Sequence, residues 1–238
     1  MNIALLGYGK MGKTIEQLAT AKGHEIALKI SSQNASDLNT GNMSGVDVAI
    51  EFSRPETAFK NISFCLNHGI AVVSGTTAWL DRMPEAKQLC NEKGGAFFYA
   101  SNFSIGVNLF FALNRHLANM MEDQGQYDVQ MEEIHHTQKL DAPSGTAISL
   151  ANDILAQISR KRQWINEEAS TPETLSIISK RIDLVPGTHS VVYQSEIDEI
   201  EIKHTAHSRE GFARGALLAA EWIIGKQGYF EMSDLLGF

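Results

Sequence analysis

Near its start the chain runs Ile3 to Leu6, an apolar stretch that stops at a glycine, and that glycine opens Gly7, Tyr8, Gly9, Lys10, Met11, Gly12. A helical pattern with Ile15, Leu18 and Ala19 follows and ends at Gly23. No other feature constrains the fold as much as a G-x-G-x-x-G run set between a strand and a helix. The first glycine permits the tight turn, the second lets backbone approach a pyrophosphate, and the third allows close helix and sheet packing. The N–H groups that open the helix then face the anion. A dinucleotide is the expected ligand; the plain alternative is a structural turn in an α/β protein that binds something else.

The rhythm continues with strands at His24 to Ile30, Val46 to Phe52, Ile70 to Ser74 and Ala96 to Ala100. A polar loop covers Ser31 to Gly45, a helix capped by Ser53 with Pro55 in its first turn reaches Gly69, and another runs from Leu80 to Lys93. Strands alternating with single helices imply a parallel sheet covered on both faces. After Ala100 the pattern changes. A long helix is expected over Gly106 to Met121, a strand over Tyr127 to Glu133, a helix from Ser144 to Ile158 and loop over Arg160 to Thr174. Three β-rich stretches follow, Leu175 to Leu184, Ser190 to Gln194 and Glu196 to His204, which suggests antiparallel pairing with a turn at Pro186 and Gly187. A last helix covers Glu210 to Ile224.

The expected fold is therefore α/β: a Rossmann-type parallel sheet domain plus a smaller α+β domain with a mostly antiparallel or mixed sheet. The expected division is 1–102 with 211–238 for the dinucleotide, and 103–210 for substrate and assembly. At 238 residues the chain can bury a core without staples, and its net charge of -8 argues against a field that attracts nucleic acid. With two isolated cysteines, no apolar run of membrane length and no basic leader, a cytoplasmic protein that binds no membrane is expected.

An acidic residue about 20 positions past the glycines would normally hold the ribose hydroxyls of NAD. Here the second strand ends Lys29, Ile30, Ser31, Ser32, which admits NADPH and leans toward it. The loops after the fourth and fifth strands, Gly75 to Thr77 and Ala100 to Phe103, should line the cofactor crevice, although such residues also favour ordinary turns.

The densest polar constellation is Glu132 to Ala147, EEIHHTQKLDAPSGTA. One loop can present His135 and Lys139 to one ligand, and imidazole is suited to trading protons near neutral pH. Ser144, Gly145 and Thr146 open a helix, where unpaired N–H groups favour a carboxylate or phosphate, so the substrate should be anionic. No metal is expected, because His135 and His136 are neighbours and no cysteine or carboxylate completes a known ligand spacing. His204 and His207 read as structural.

With EFSRPE at 51–56, GTT at 75–77, SNFSIGVN at 101–108, EIHHTQKLDAPSGTA at 133–147 and HTAHSREGFARGA at 204–216, the chain resembles the dihydrodipicolinate reductase family over nearly its whole length. The resemblance implies reduction of a cyclic pyridine dicarboxylate by NADPH or NADH, giving tetrahydrodipicolinate in lysine and diaminopimelate synthesis. On the family pattern His135 is proton donor and acceptor and Lys139 a second donor, while His136, Gly145 and Thr146 hold substrate carboxylates. Gly7, Tyr8, Gly9, Lys10, Met11 and Gly12 would hold the cofactor with Gly75, Thr76, Thr77, Ala100, Ser101, Asn102 and Phe103. The family is commonly tetrameric, and hydride transfer calls for closure between domains. Lys10 stands where the family often has arginine, and Ala78 where it often has glycine. A dehydrogenase for another small carboxylate and a silent dinucleotide sensor are the competing readings.

Overall fold

The computed structural model describes residues 1–208 and 210–238; Arg209, inside the 204–216 run, lies outside the described residues. Along the chain come β1 (Asn2–Leu6), α1 (Lys10–Ala21), β2 (Glu25–Ile30), β3 (Val48–Glu51), α2 (Pro55–Asn67), β4 (Ala71–Ser74), α3 (Met83–Lys93) and β5 (Ala96–Tyr99). Next are α4 (Ile105–Met121), β6 (Asp128–His135), α5 (Gly145–Gln157), β7 (Gln163–Ile165), β8 (Thr174–Arg181), β9 (Gly187–Gln194) and β10 (Glu199–Ala206). The chain finishes with α6 (Glu210–Ile223), β11 (Gly228–Phe230) and α7 (Met232–Leu236). Two compact units result, Met1–Ile105 with Glu210–Phe238, and Gly106–Arg209.

In the first unit six strands pair in the order β11-β5-β4-β3-β1-β2, every pair parallel. Side chains alternate across the pleat, so Ile3, Leu5, Ile50 and Phe98 meet Ile15, Ala216 and Leu217 on one face. Ala4, Leu6, Ala49 and Phe97 meet Ile62, Cys65 and Cys90 on the other. Strands buried on both faces read as continuous apolar runs, which is why they were visible in the sequence. β11 carried no such signal: three residues that join the sheet edge beside β5. Helix α2 is also entered differently from expectation. Its N-cap is Arg54, with no side-chain cap bond, because the Ser53 hydroxyl turns to Glu51 and Thr57 instead.

In the second unit the order is β10-β9-β6-β8-β7. β9 runs antiparallel to β6 and β10, whereas β8 runs parallel to β6 and β7, so the sheet is mixed. The expected hairpin between the stretches either side of Pro186 and Gly187 does not form: β8 and β9 flank β6 on opposite sides, and residues 182–186 cross its end. The 160–174 loop likewise contains β7, a three-residue edge strand too short to show periodicity. Val129, Met131, Leu175, Ile177, Val191 and Tyr193 face α4 and α5 and form this unit's core. Among the described residues no helix is long and apolar enough to cross a membrane.

Candidate active site

In the first unit the three fingerprint glycines are required for three different reasons. Gly7 has φ +109°, and a β-carbon on it would land on the Phe52 carbonyl. One on Gly12 would land on the Gly7 carbonyl. At Gly9 nothing lies within 4 Å of that point, so the space above it is open. Gly9 is also the N-cap of α1 and makes no side-chain cap bond, while the N–H groups of Gly7 and Tyr8 are held by the Ile30 carbonyl at 2.9 Å. The first turn of α1, Lys10 to Gly12, is thus an uncapped helix start at the carboxyl edge of a parallel sheet, which fits a pyrophosphate.

The Tyr8 hydroxyl donates to Glu16, whose other oxygen lies 2.6 Å from Lys29 Nζ, and Lys29 stands 5.2 Å from the Tyr8 ring centroid. Lys29 is therefore already engaged by a carboxylate. Of the Gly75 to Thr77 loop, Thr76 is spent on structure. Its hydroxyl donates to Glu51 at 3.1 Å and accepts from the Ser53 N–H at 2.8 Å, and its carbonyl accepts from Trp79 Nε1 at 2.7 Å. Gly75 has no room for a side chain over the Phe52 ring, while Thr77 is exposed. Ala78 has φ 60°, a left-handed conformation that explains why glycine suits this position. Ala100 is buried and Ser101 exposed; Asn102 Oδ1 accepts the Ser104 N–H at 2.9 Å. The Phe103 ring packs on Phe52 and Phe98 in the core, so only its backbone can meet a ligand.

In the second unit, strand period two puts Glu133 and His135 on the same buried face of β6. Glu133 is fully buried and accepts the Ser144 N–H at 3.1 Å on both oxygens, Ser179 Oγ at 2.8 Å and Arg181 Nη2 at 3.3 Å. Its Oε2 lies 3.5 Å from His135 Nδ1 and 3.6 Å from His189 Nε2. Burial alone would raise the Glu133 pKa, but hydrogen bonds from His189, Ser144 and Ser179 outweigh it and hold the carboxyl well below the ordinary range. Burial pushes His135 down to about 4, against the pull of Glu133 and with the help of His189, Lys139 and Arg181.

The loop beyond β6 turns back at once, with the Lys139 N–H bonded to the His136 carbonyl at 3.1 Å, and His136 is half-buried. Lys139 Nζ donates to Asp141 at 2.8 and 2.9 Å. Ser144 caps α5 by accepting the Ala147 N–H at 3.2 Å, which leaves Gly145 and Thr146 as the first turn, with open space where a Gly145 side chain would be.

Arg181, His189 and Gly187 carry no signal in the local sequence, yet they stand at His135 with Glu133. The sheet register brings two of them there, pairing His135 with Arg181 and Glu133 with His189. Only Glu133, two residues before His135 on a strand, was findable from period two. Glu133, His135 and His189 also offer three potential ligand atoms within 4.8 Å of one another. The charge a cation would meet there is already met by Arg181, and the carboxylate's lone pairs by the hydrogen bonds it accepts from Ser144, Ser179 and Arg181. His204 on β10 pairs with His189 on β9, and its ring centroid lies 6.1 Å from that of Phe110.

The family models described as dihydrodipicolinate reductase N-terminus and C-terminus match residues 1–103 and 106–236. A 4-hydroxy-tetrahydrodipicolinate reductase of Christiangramia forsetii is 54% identical over 99% of this chain and 98% of its own. The enzyme of the same name from Neisseria meningitidis is 34% identical over 93% of this chain and 84% of its own. A dipicolinate-bound dihydrodipicolinate reductase from Paenisporosarcina sp. TG-14 superposes with a TM-score of 0.82 at 22% identity, covering 98% of both chains. At that identity the superposition establishes the fold.

Proposed function

The chain belongs to the dihydrodipicolinate reductase family, and on that premise we propose that the 1–102 and 211–238 segments hold the dinucleotide while 103–210 holds the diacid and its proton donor. The enzyme is an NAD(P)H-dependent oxidoreductase of lysine and diaminopimelate synthesis. It converts 4-hydroxy-tetrahydrodipicolinate to tetrahydrodipicolinate with loss of water. When bound, the reduced nicotinamide supplies the hydride. The open space at Gly9 and the uncapped start of α1 are the features that fit its pyrophosphate.

The single observation that carries the residue roles is the grouping of His135, Lys139 and the α5 start around one loop. His135 is the proton donor and Lys139 a second donor. His136, Gly145 and Thr146 hold the carboxylates, the last two through the helix start. In the free site His135 is neutral at pH 7, since burial and its cationic neighbours push it to about 4. A doubly negative heterocycle offsets those neighbours and raises the imidazole's proton affinity, so the substrate itself creates the acid that quenches electron density as the hydride adds. Lys139, paired with Asp141 in the free site, leaves it to meet the diacid.

The uncovered face of the second sheet carries Ile134, Ile178 and Val192 half-buried beside Glu132 and Lys180, and it is the surface through which four copies associate. Cys65 and Cys90 are buried and unpaired, in keeping with a cytoplasmic setting.

The test is a coupled assay with the freshly made cyclic product of pyruvate and aspartate semialdehyde, following NADPH loss, with pyridine-2,6-dicarboxylate as planar competitor. Turnover with competitive inhibition is expected. Dinucleotide binding with no response to the diacid would leave a sensor instead. His135→Ala should lower turnover about 100-fold with normal cofactor binding, the usual scale for a positioned acid.

A further inference from the structure

Glu133 is not needed to fill space, and its charge is costly where it lies. It is fully buried, and a carboxylate in that position must be matched by donors on every side. A neutral amide of the same shape would accept the Ser144 N–H and the Ser179 hydroxyl as well. What only the carboxylate offers is a negative charge shared between the proton donor and the helix start.

We propose that Glu133 is a positioning residue for the reduction: it fixes His135 in one tautomer and orientation and, through the same two oxygens, pins the amide that opens α5, so that acid and anion site are held as one piece. The inference rests on the reading of His135 and the α5 start given above. His135 Nδ1 is buried without a hydrogen bond of normal geometry, and it faces the Glu133 carboxylate 3.5 Å away. Because a carboxylate can only accept, it selects the tautomer with the proton on Nδ1 and leaves Nε2 as the atom that exchanges a proton with substrate. The two 3.1 Å contacts from the Ser144 N–H hold the cap residue of α5 on the same carboxylate. His189 closes the group, 3.6 Å from Oε2 and hydrogen-bonded to the Ser144 hydroxyl at 3.1 Å.

The charge also acts on proton affinity. The groups that face His135 are Glu133 on its own strand, Arg181 on β8, His189 on β9 and Lys139 in the following loop. Three of them oppose protonation, and Glu133 alone favours it. Removing that charge makes the imidazole a weaker base with substrate bound as well as without it.

Glu133→Gln and Glu133→Asp in the full chain test this. For Glu133→Gln the expected result is a fall in kcat of about 10- to 100-fold, the scale for loss of a partner that orients an active histidine. The KM for the cyclic substrate and inhibition by pyridine-2,6-dicarboxylate should change by about twofold or less. The descending limb of the kcat profile, where a required acid loses its proton, should move to lower pH. Glu133→Asp restores the charge and should return that limb toward the wild-type position even if kcat recovers only in part. A folded Glu133→Gln enzyme with wild-type kcat and limb, or one that is slow with the limb unmoved, overturns the proposal. If neither variant folds, ¹⁵N chemical shifts of the wild-type imidazole decide the matter: a proton on Nδ1 is expected, and one on Nε2 overturns it. Failure of the family reading looks different, since the wild-type protein would then neither reduce the cyclic substrate nor bind the diacid.

Discussion

The Nε2 atom of His135 stands 3.1 Å from the point where a β-carbon on Gly187 would sit, and Cδ2 stands 3.3 Å from it. Gly187 begins β9 and has no positive φ, so its lack of a side chain serves the imidazole and not the backbone. Gly187→Ala should push the ring by a few tenths of an ångström and lower kcat about tenfold, since small misplacements of a reacting group are costly. Dinucleotide affinity should not change. Steady-state kinetics beside a dinucleotide titration check both, and full turnover in Gly187→Ala would show that the ring has slack.

The place of Gly187 beside His135 is set by strand order and not by local sequence. The sequence showed Pro186 and Gly187 as a turn joining two strands, and adjacent strands in sequence usually pair. Here β6 intervenes, so the segment after β8 crosses the end of β6, where the Ile182 N–H bonds the His135 carbonyl at 2.8 Å. Arg181 and His189 were hidden for the same reason, because register is a property of pairing and not of either strand alone. By contrast His135, Lys139, Gly145 and Thr146 are close in sequence and were visible. The parallel sheet was legible through its buried apolar runs, whereas β7 and β11, three residues each, lie below the length at which periodicity can register.

The phosphate loop separates cleanly into folding and binding glycines. Gly9→Ala meets no atom within 4 Å and its main cost is that alanine is a poorer N-cap than glycine, so stability should fall by about 1 kcal/mol at most. NADPH affinity should nevertheless fall about tenfold or more, because the added methyl group takes the place of the pyrophosphate. Gly7→Ala and Gly12→Ala should instead lose about 1–3 kcal/mol of stability from overpacking against carbonyl oxygens. Thermal unfolding and a fluorescence titration distinguish the two patterns. Wild-type NADPH affinity in Gly9→Ala would remove the loop from pyrophosphate binding.

Cofactor choice should respond to Glu16. The Lys29 ammonium, the cation nearest the end of β2 in sequence, is bound by Glu16 at 2.6 Å and so is not fully offered to a 2′-phosphate. Replacing that carboxylate in Glu16→Gln removes both the tether and a repulsive charge, and the ratio of kcat/KM for NADPH to that for NADH should rise about fivefold at low salt. High salt should shrink the effect. An unchanged ratio would place the 2′-position away from Lys29.

Acid should weaken the fold in two steps that belong to neighbouring residues. His135 is held at about 4 in the folded chain, against about 6.5 when unfolded. Between those values the unfolded chain binds more protons, so the stability from a neutral buried imidazole is present above about pH 6.5 and is lost as pH falls through about 4. Glu133 is held well below the ordinary carboxylate range, so its share survives that window and is lost only at lower pH. His204 is also depressed by burial, which means that the wild-type curve alone cannot isolate His135. The difference between wild type and His135→Gln can: urea midpoints measured from pH 7.5 to 4.5 should fall more steeply in the wild type, and the two curves should run parallel only below about pH 4. Parallel curves throughout would mean that His135 titrates normally, and with that the argument that substrate binding creates the acid would fail.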